Sequence, residues 1–126
     1  MILPVRSSAI LTGSYVAGTV IGGPSSPINV GMRNQLNLLV GFTIGSLTSA
    51  QIKVEYSHDG TTYYQETFES ISGTTATLVN GEYSIAATGN YVISIPIKAS
   101  YIKISSKGTG TATSSLLVID AVVGTV

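Results

Sequence analysis

Leu36, Leu38, Val40, Phe42 and Ile44 fall on every second residue of QLNLLVGFTIG, from Gln35 to Gly45. An extended strand turns successive side chains to opposite faces, so this spacing puts five apolar groups on one side of a sheet. Ile52, Val54 and Tyr56 alternate with Gln51, Lys53 and Glu55. Tyr91, Ile93 and Ile95 repeat the pattern, as do Ile102 and Ile104. Val, Ile, Thr and Tyr dominate these runs and suit a pleated, half-buried surface. No window of useful length carries a 3.6-residue apolar stripe, which excludes an amphipathic helix as a main element.

Turn chemistry separates the runs. Asp59-Gly60 and Asn80-Gly81 are the strongest hairpin signals, because both dipeptides favour positive φ. Gly89-Asn90 and Lys107-Gly108 are weaker versions. Strands are predicted over 8–12, 15–21, 35–44, 51–57, 61–69, 74–79, 82–87, 91–96, 100–106 and 112–123. That many short strands with tight turns predict an all-β fold, an antiparallel β-sandwich or jelly roll. In SSLLVIDAVVG both faces are apolar: Leu117, Ile119, Ala121 and Val123 on one, and Leu116, Val118 and Val122 on the other, broken by Asp120. Such a strand is central in its sheet or covered by a neighbour.

The stretch GGPSSPINVGMRN, Gly22 to Asn34, holds two prolines, three glycines and two serines and reads as a connector. Residues 1–34 are therefore expected to form an extended N-terminal arm and connector, and residues 35–126 the sandwich domain. Arg6 precedes a mildly apolar stretch, but Ser7, Ser8, Thr12, Ser14 and Tyr15 dilute it, so the reading is an arm with an ordered Met1 rather than a signal peptide. No run of 18 apolar residues occurs, and no membrane partner is expected.

Charge is scarce. Six Lys/Arg and six Asp/Glu leave a formal net charge of zero and make up 10% of the chain, where about 25% is usual. A free soluble domain ordinarily keeps more charge on its surface. Scarcity of charge together with apolar second faces points to a subunit buried in an assembly, with a homo-oligomer expected. A neutral Ser/Thr-rich β-domain is the plainer alternative. Lys53, Lys98, Lys103 and Lys107 are scattered along the chain, so nucleic acid is not an expected partner.

Little in the chain suggests catalysis. His58 is the single histidine, and there is no cysteine. Ser57, His58 and Asp59 are consecutive, whereas a nucleophilic triad draws its members from separated elements. No G-x-S-x-G elbow, H-x-x-x-H or D-x-[DN]-x-[DN]-G pattern occurs. Glu55 and Glu66 could meet across a hairpin, but such pairs ordinarily face solvent. KGTGTATSS, Lys107 to Ser115, lacks the G-K-[ST] ending of a phosphate loop and reads as a turn. No catalytic residue, cofactor or metal is expected. The candidate contact residues are Tyr63 and Tyr64, of which one should join the core, His58 at the loop tip, and Arg6 and Tyr15 on the arm.

VEYSHDGTTYYQE, Val54 to Glu66, resembles a hairpin of small structural proteins of tailed bacteriophage virions: strand, Ser, any residue, Asp-Gly, then a strand with an aromatic. GNYVISIPIKASYIKISSKGTGTATSSLLVIDAVVG, Gly89 to Gly124, is similar to the usual continuation. The resemblance covers about two thirds of the chain. It implies a non-enzymatic virion component of the capsid decoration, cement or head-fibre type. Its partners would be the major capsid protein or other virion subunits. Sugar-binding and adhesive sandwiches also use S-x-D-G hairpins. A carbohydrate-binding tail or fibre domain therefore stays open, as does a self-assembling tube or filament subunit.

Overall fold

The computed structural model describes residues 2–22, 35–110 and 115–123. Met1, residues 23–34 of the expected connector, residues 111–114 of the KGTGTATSS stretch and residues 124–126 lie outside these residues. The fold is an antiparallel β-sandwich. Sheet one has the spatial order β1 (Ile2–Ala9), β12 (Leu116–Val123), β4 (Gln35–Thr43), β10 (Gly89–Pro96). In sheet two, β2 (Val16–Ala17) and β3 (Ile21–Gly22) pair with β11 (Tyr101–Gly110), and β11 pairs with β5 (Leu47–Ser57). The far edge of β5 takes β6 (Tyr64–Gln65) and β9 (Tyr83–Ile85). A separate hairpin, β7 (Thr67–Ser72) with β8 (Thr75–Asn80), stands off the sandwich with every residue of both strands exposed.

Alternation decides the core. Leu36, Leu38, Val40 and Phe42 from β4 face Ile52, Val54, Ile102 and Ile104 from sheet two, all at most 3% exposed. Each such side chain contributes about 1.5–3 kcal/mol by leaving water. β12 is central, between β1 and β4, and buries Leu117, Ile119 and Ala121. Its second face stays open, with Leu116 exposed and Val118 and Val122 half-buried.

Residues 2–22 correct the expectation of an extended arm. Leu3, Val5, Leu11 and Ile21 lie in the core, and β1 runs against β12 from Ile2↔Val122 to Ala9↔Leu117. The strands expected at 8–12 and 15–21 are replaced by β1 and by two short pieces, β2 and β3. Gly18 separates those pieces. Its amide donates to Ile104 O, and the next amide, of Thr19, donates to Val5 O, both at 2.9 Å, so two successive amides tie sheet two to sheet one. A Cβ at Gly18 would stand 2.4 Å from that Val5 oxygen, so only glycine fits the crossing.

Three turn expectations are also corrected. Asn80-Gly81 is no hairpin turn. The turn between β7 and β8 uses Gly73, with φ +62°, and Asn80 ends β8. The Gly81 amide donates to Glu66 O at 2.9 Å and returns the chain to the sandwich. Lys107-Gly108 lies inside β11, where Leu47 and Leu11 pack against Gly108. Gly89-Asn90 opens β10, paired with Phe42 and Gly41. The strand expected over 61–69 is split. Glu66 N still bonds Val54 O at 2.9 Å, and β7 then leaves the sheet.

Candidate functional site

The loop 57–63 is built by two side chains. Ser57, buried at the end of β5, accepts from Gly60 N at 2.9 Å and donates to Asp59 Oδ1 at 2.9 Å. The same Oδ1 accepts from Thr61 N and Thr62 N, at 2.8 and 2.9 Å. Gly60 takes the positive φ, +78°, that its dipeptide predicts, and Asp59 does not. The amides of Thr62 and Thr61, then the Ser57 hydroxyl, hold the Asp59 carboxyl at about 2, well below the usual carboxylate range. Asp59 therefore serves the backbone of its own loop, and His58 projects into solvent from it.

His58 and Tyr64 meet in one groove. Tyr56, Gln65, Glu66, Thr67, Lys98 and Ala99 complete its lining, and its volume is about 230 Å³. The loop after β10 brings Lys98 Nζ to 2.5 Å from Glu66 Oε1. The Glu66 side chain is only 13% exposed, and its Oε2 is buried without a hydrogen-bond partner. The Tyr56 hydroxyl donates to Pro96 O at 2.7 Å and lies close enough to Glu66 to interact with its carboxyl. Burial, then Glu66 and Tyr83, push the Tyr56 phenol well above its ordinary value. Tyr64 is 66% exposed although its register partner, Tyr56, is buried, because β6 is an edge strand.

The other predicted contact residues lie elsewhere. Neither Tyr63 nor Tyr64 joins the core, contrary to expectation. Tyr63 lies under Lys103 Nζ, 4.1 Å from the ring centroid, on the outer face of sheet two. Tyr15 sits on the same face between Lys53 and Lys107, at 4.6 and 4.8 Å. Burial and then Glu82 push its phenol up to about 12. Arg6 bonds internally: Nη1 donates to Leu117 O and Nη2 to Ile10 O at 3.1 Å, and burial lowers its pKa. Glu55 and Glu66 do not meet. Glu55 is paired in register with Gln65 and contacts Lys53 at 3.6 Å, while Glu66 pairs with Lys98. Among the described residues no group of three His, Cys, Asp or Glu could hold a metal ion.

The two outer faces of the sandwich differ in chemistry. Lys53 and Glu55 of β5 and Lys103 and Lys107 of β11, two pairs far apart in sequence, share the outer face of sheet two because β5 and β11 pair with Lys103 opposite Glu55 and Lys107 opposite Gln51. The outer face of sheet one instead carries Leu39, Val92 and Leu116, 39%, 66% and 42% exposed. Val92, Leu39 and Asp120 form one row across β10, β4 and β12. Beside it, Gly41, Asn90 and Val118 help to form a groove of about 310 Å³. Val92 also borders an apolar groove of about 370 Å³ at the β10 edge, lined by Tyr83, Ile85, Tyr91 and Ile93. The hairpin β7–β8 adds Phe68, Ile71, Leu78 and Val79, all exposed. Its register puts Phe68 and Val79 on one face and Ile71 and Leu78 on the other.

Neither Glu66–Lys98 nor the apolar hairpin was visible in the sequence. The two partners are far apart along the chain, and the alternation around TATLVN does not show whether a strand joins the sandwich or leaves it. Compared with known families and with curated proteins, the chain matches no family model and no curated sequence.

Proposed function

We propose that the chain is a non-enzymatic structural subunit of a virion, a decoration or cement protein that docks on the lattice of the major capsid protein alongside copies of itself. The observation that carries this is the asymmetry of the sandwich. One outer face is charged and suits solvent. The other carries Asp120 but presents Leu39, Val92 and Leu116, and Val92 borders the apolar groove at the β10 edge. Contiguous exposed apolar surface marks an interaction site in a soluble protein. Repetition on a lattice converts a modest contact per copy into strong total binding. The strand pairing supports the same role. β5 with β6 and β9, β4 with β10, β2 and β3 with β11, and β1 with β12 are nested pairs. Nested pairing of this kind supports reading the sandwich as a jelly roll, an architecture recurrent in capsid proteins.

The test is the composition of particles made from the genome that carries this sequence. Purified virions should contain the chain in lattice copy number, and cryo-electron microscopy should place sheet one against the capsid. Virions lacking the chain would overturn the proposal. So would assembly of the isolated chain into tubes or filaments.

A further inference from the structure

We propose that the groove between Tyr64, Glu66 and Lys98 is a carbohydrate site that takes a pyranose ring with adjacent free hydroxyls. The inference goes beyond lattice docking and does not depend on it, since no lining residue of this groove belongs to the outer face of sheet one.

Three features converge. The first is a buried acceptor in need of a donor. Glu66 Oε2 is buried without a geometric hydrogen-bond partner, and the Tyr56 hydroxyl, which interacts with the Glu66 carboxyl, directs its proton to Pro96 O. A buried carboxylate oxygen left unsatisfied is costly, and water or a ligand hydroxyl can supply the missing bond. The second is the pairing of opposite charges. Lys98 Nζ is held 2.5 Å from Glu66 Oε1, yet the lysine side chain is half exposed and keeps donors for a further acceptor. A metal cation would meet the Lys98 ammonium, and a phosphate or sulfate would meet the Glu66 carboxylate. A neutral ligand carrying donor and acceptor on neighbouring atoms meets neither repulsion. Two adjacent hydroxyls fit, one donating to Oε2 and the other accepting from Nζ. The third is the exposed ring of Tyr64, a flat apolar surface with a polar tip beside those groups. It suits the C–H face of a sugar ring. His58 at the rim adds a ring N–H.

Groups of this kind are few, well placed and partly pre-formed, which is the general character of small-ligand sites. Gln65 Nε2 donates to Gly81 O at 3.3 Å and so helps to fix the chain next to Glu66. A resident water on Oε2 would be displaced by a hydroxyl that reproduces its bond, at little enthalpic loss.

The experiment is a titration of the full chain with methyl pyranosides of hexose, deoxyhexose and N-acetylhexosamine type, followed by NMR. A parallel arm uses immobilised polysaccharides of the same sugars. Saturable binding is expected to at least one of them. Tyr64→Ala and Glu66→Gln should each weaken it at least tenfold, and Leu39→Lys should leave it unchanged. Tyr64→Ala removes an exposed side chain, so the variant folds, and an unaltered melting curve checks this. Binding of free pyranosides identifies a single ring as the ligand, and binding confined to polymer identifies a surface polysaccharide. Either result supports the site if both variants lose it. No saturable binding at millimolar concentration in both arms, with a water as the only partner of Oε2, would overturn the inference. So would binding that survives both substitutions. Virion incorporation can succeed while this titration fails, and the reverse, so the two proposals are judged separately.

Discussion

The ring of Phe68 lies over Gly81, where a Cβ would stand 2.3 Å from Phe68 Cε2. This contact joins the projecting hairpin to the sandwich at its base. Gly81→Ala must move the ring. Because Phe68 is already half exposed, the ring can swing outward at low cost. Global stability should fall by less than about 1 kcal/mol, while the amides of 67–80 exchange faster. Hydrogen exchange with a parallel melting curve checks both parts.

The hairpin should be removable. Gly81 N and Glu66 O are bonded at 2.9 Å, so the chain leaves and re-enters the sandwich at one point. No residue of β7 or β8 is in the core. Deleting 67–80 and joining Glu66 to Gly81 should shift the melting temperature by only a few degrees. If the hairpin contacts neighbours in the virion, the shortened chain will load onto particles less well.

Acid should open the loop 57–63 before it unfolds the sandwich. The Asp59 pKa is depressed by hydrogen bonding in the folded chain, to about 2, against an unfolded value of about 3.9. The contribution of this group is present above the unfolded value and is lost as pH falls through the folded value. Thr61 and Thr62 amide shifts should therefore titrate near pH 2, and Asp59→Asn should abolish that step. A titration midpoint near 4 would contradict the hydrogen-bonded geometry.

Gly108→Ala tests the interior of β11. The new Cβ would meet Leu47 Cδ2 at 2.7 Å and Leu11 Cβ at 3.2 Å, and both leucines are buried. Overpacking of this kind costs about 1–3 kcal/mol. It also threatens the bond from Gly108 N to Thr12 O, at 2.8 Å. Chemical denaturation should show the midpoint falling with the m-value unchanged.

The apolar face can be tested without harming the fold. Leu39→Lys with Val92→Thr replaces two exposed apolar side chains of sheet one by polar ones and puts the new ammonium beside Asp120 in the same row. The melting temperature should change little, since surface substitutions are usually within about 0.5 kcal/mol. Binding to the particle should fall at least tenfold, equivalent to about 1.4 kcal/mol per copy. A pull-down with purified heads and quantitative mass spectrometry measures it.

Strand positions were legible where alternation met a two-layer core. β4 and β10 lie within a few residues of their predicted spans because one face of each is buried and the other is not. The N-terminal residues were misread as an arm because Ser, Thr and Gly dilute the alternation, while Leu3, Val5, Leu11 and Ile21 are core residues spaced irregularly by the crossing at Gly18. Asn80-Gly81 misled because local turn preference was overridden by the ladder bond to Glu66. Of the candidate contact residues, His58 and Tyr64 were brought together. Their partners Glu66 and Lys98 come from a strand end and a distant loop that only tertiary pairing joins. The shared face of Lys53, Lys103 and Lys107 likewise depends on the β5–β11 register.

The nested pairing also governs the order of assembly. β5 with β6 needs only the loop 57–63 to close, whereas β1 with β12 joins positions as distant as Leu3 and Ala121. Loop-closure entropy grows with separation, and non-local β pairing is slow. The central place of β12 sharpens this. Until that strand arrives, β1 has no partner in sheet one and β4 holds only β10. Sheet one is thus completed in one late step: without β12, β1 stays unpaired and one edge of β4 stays open.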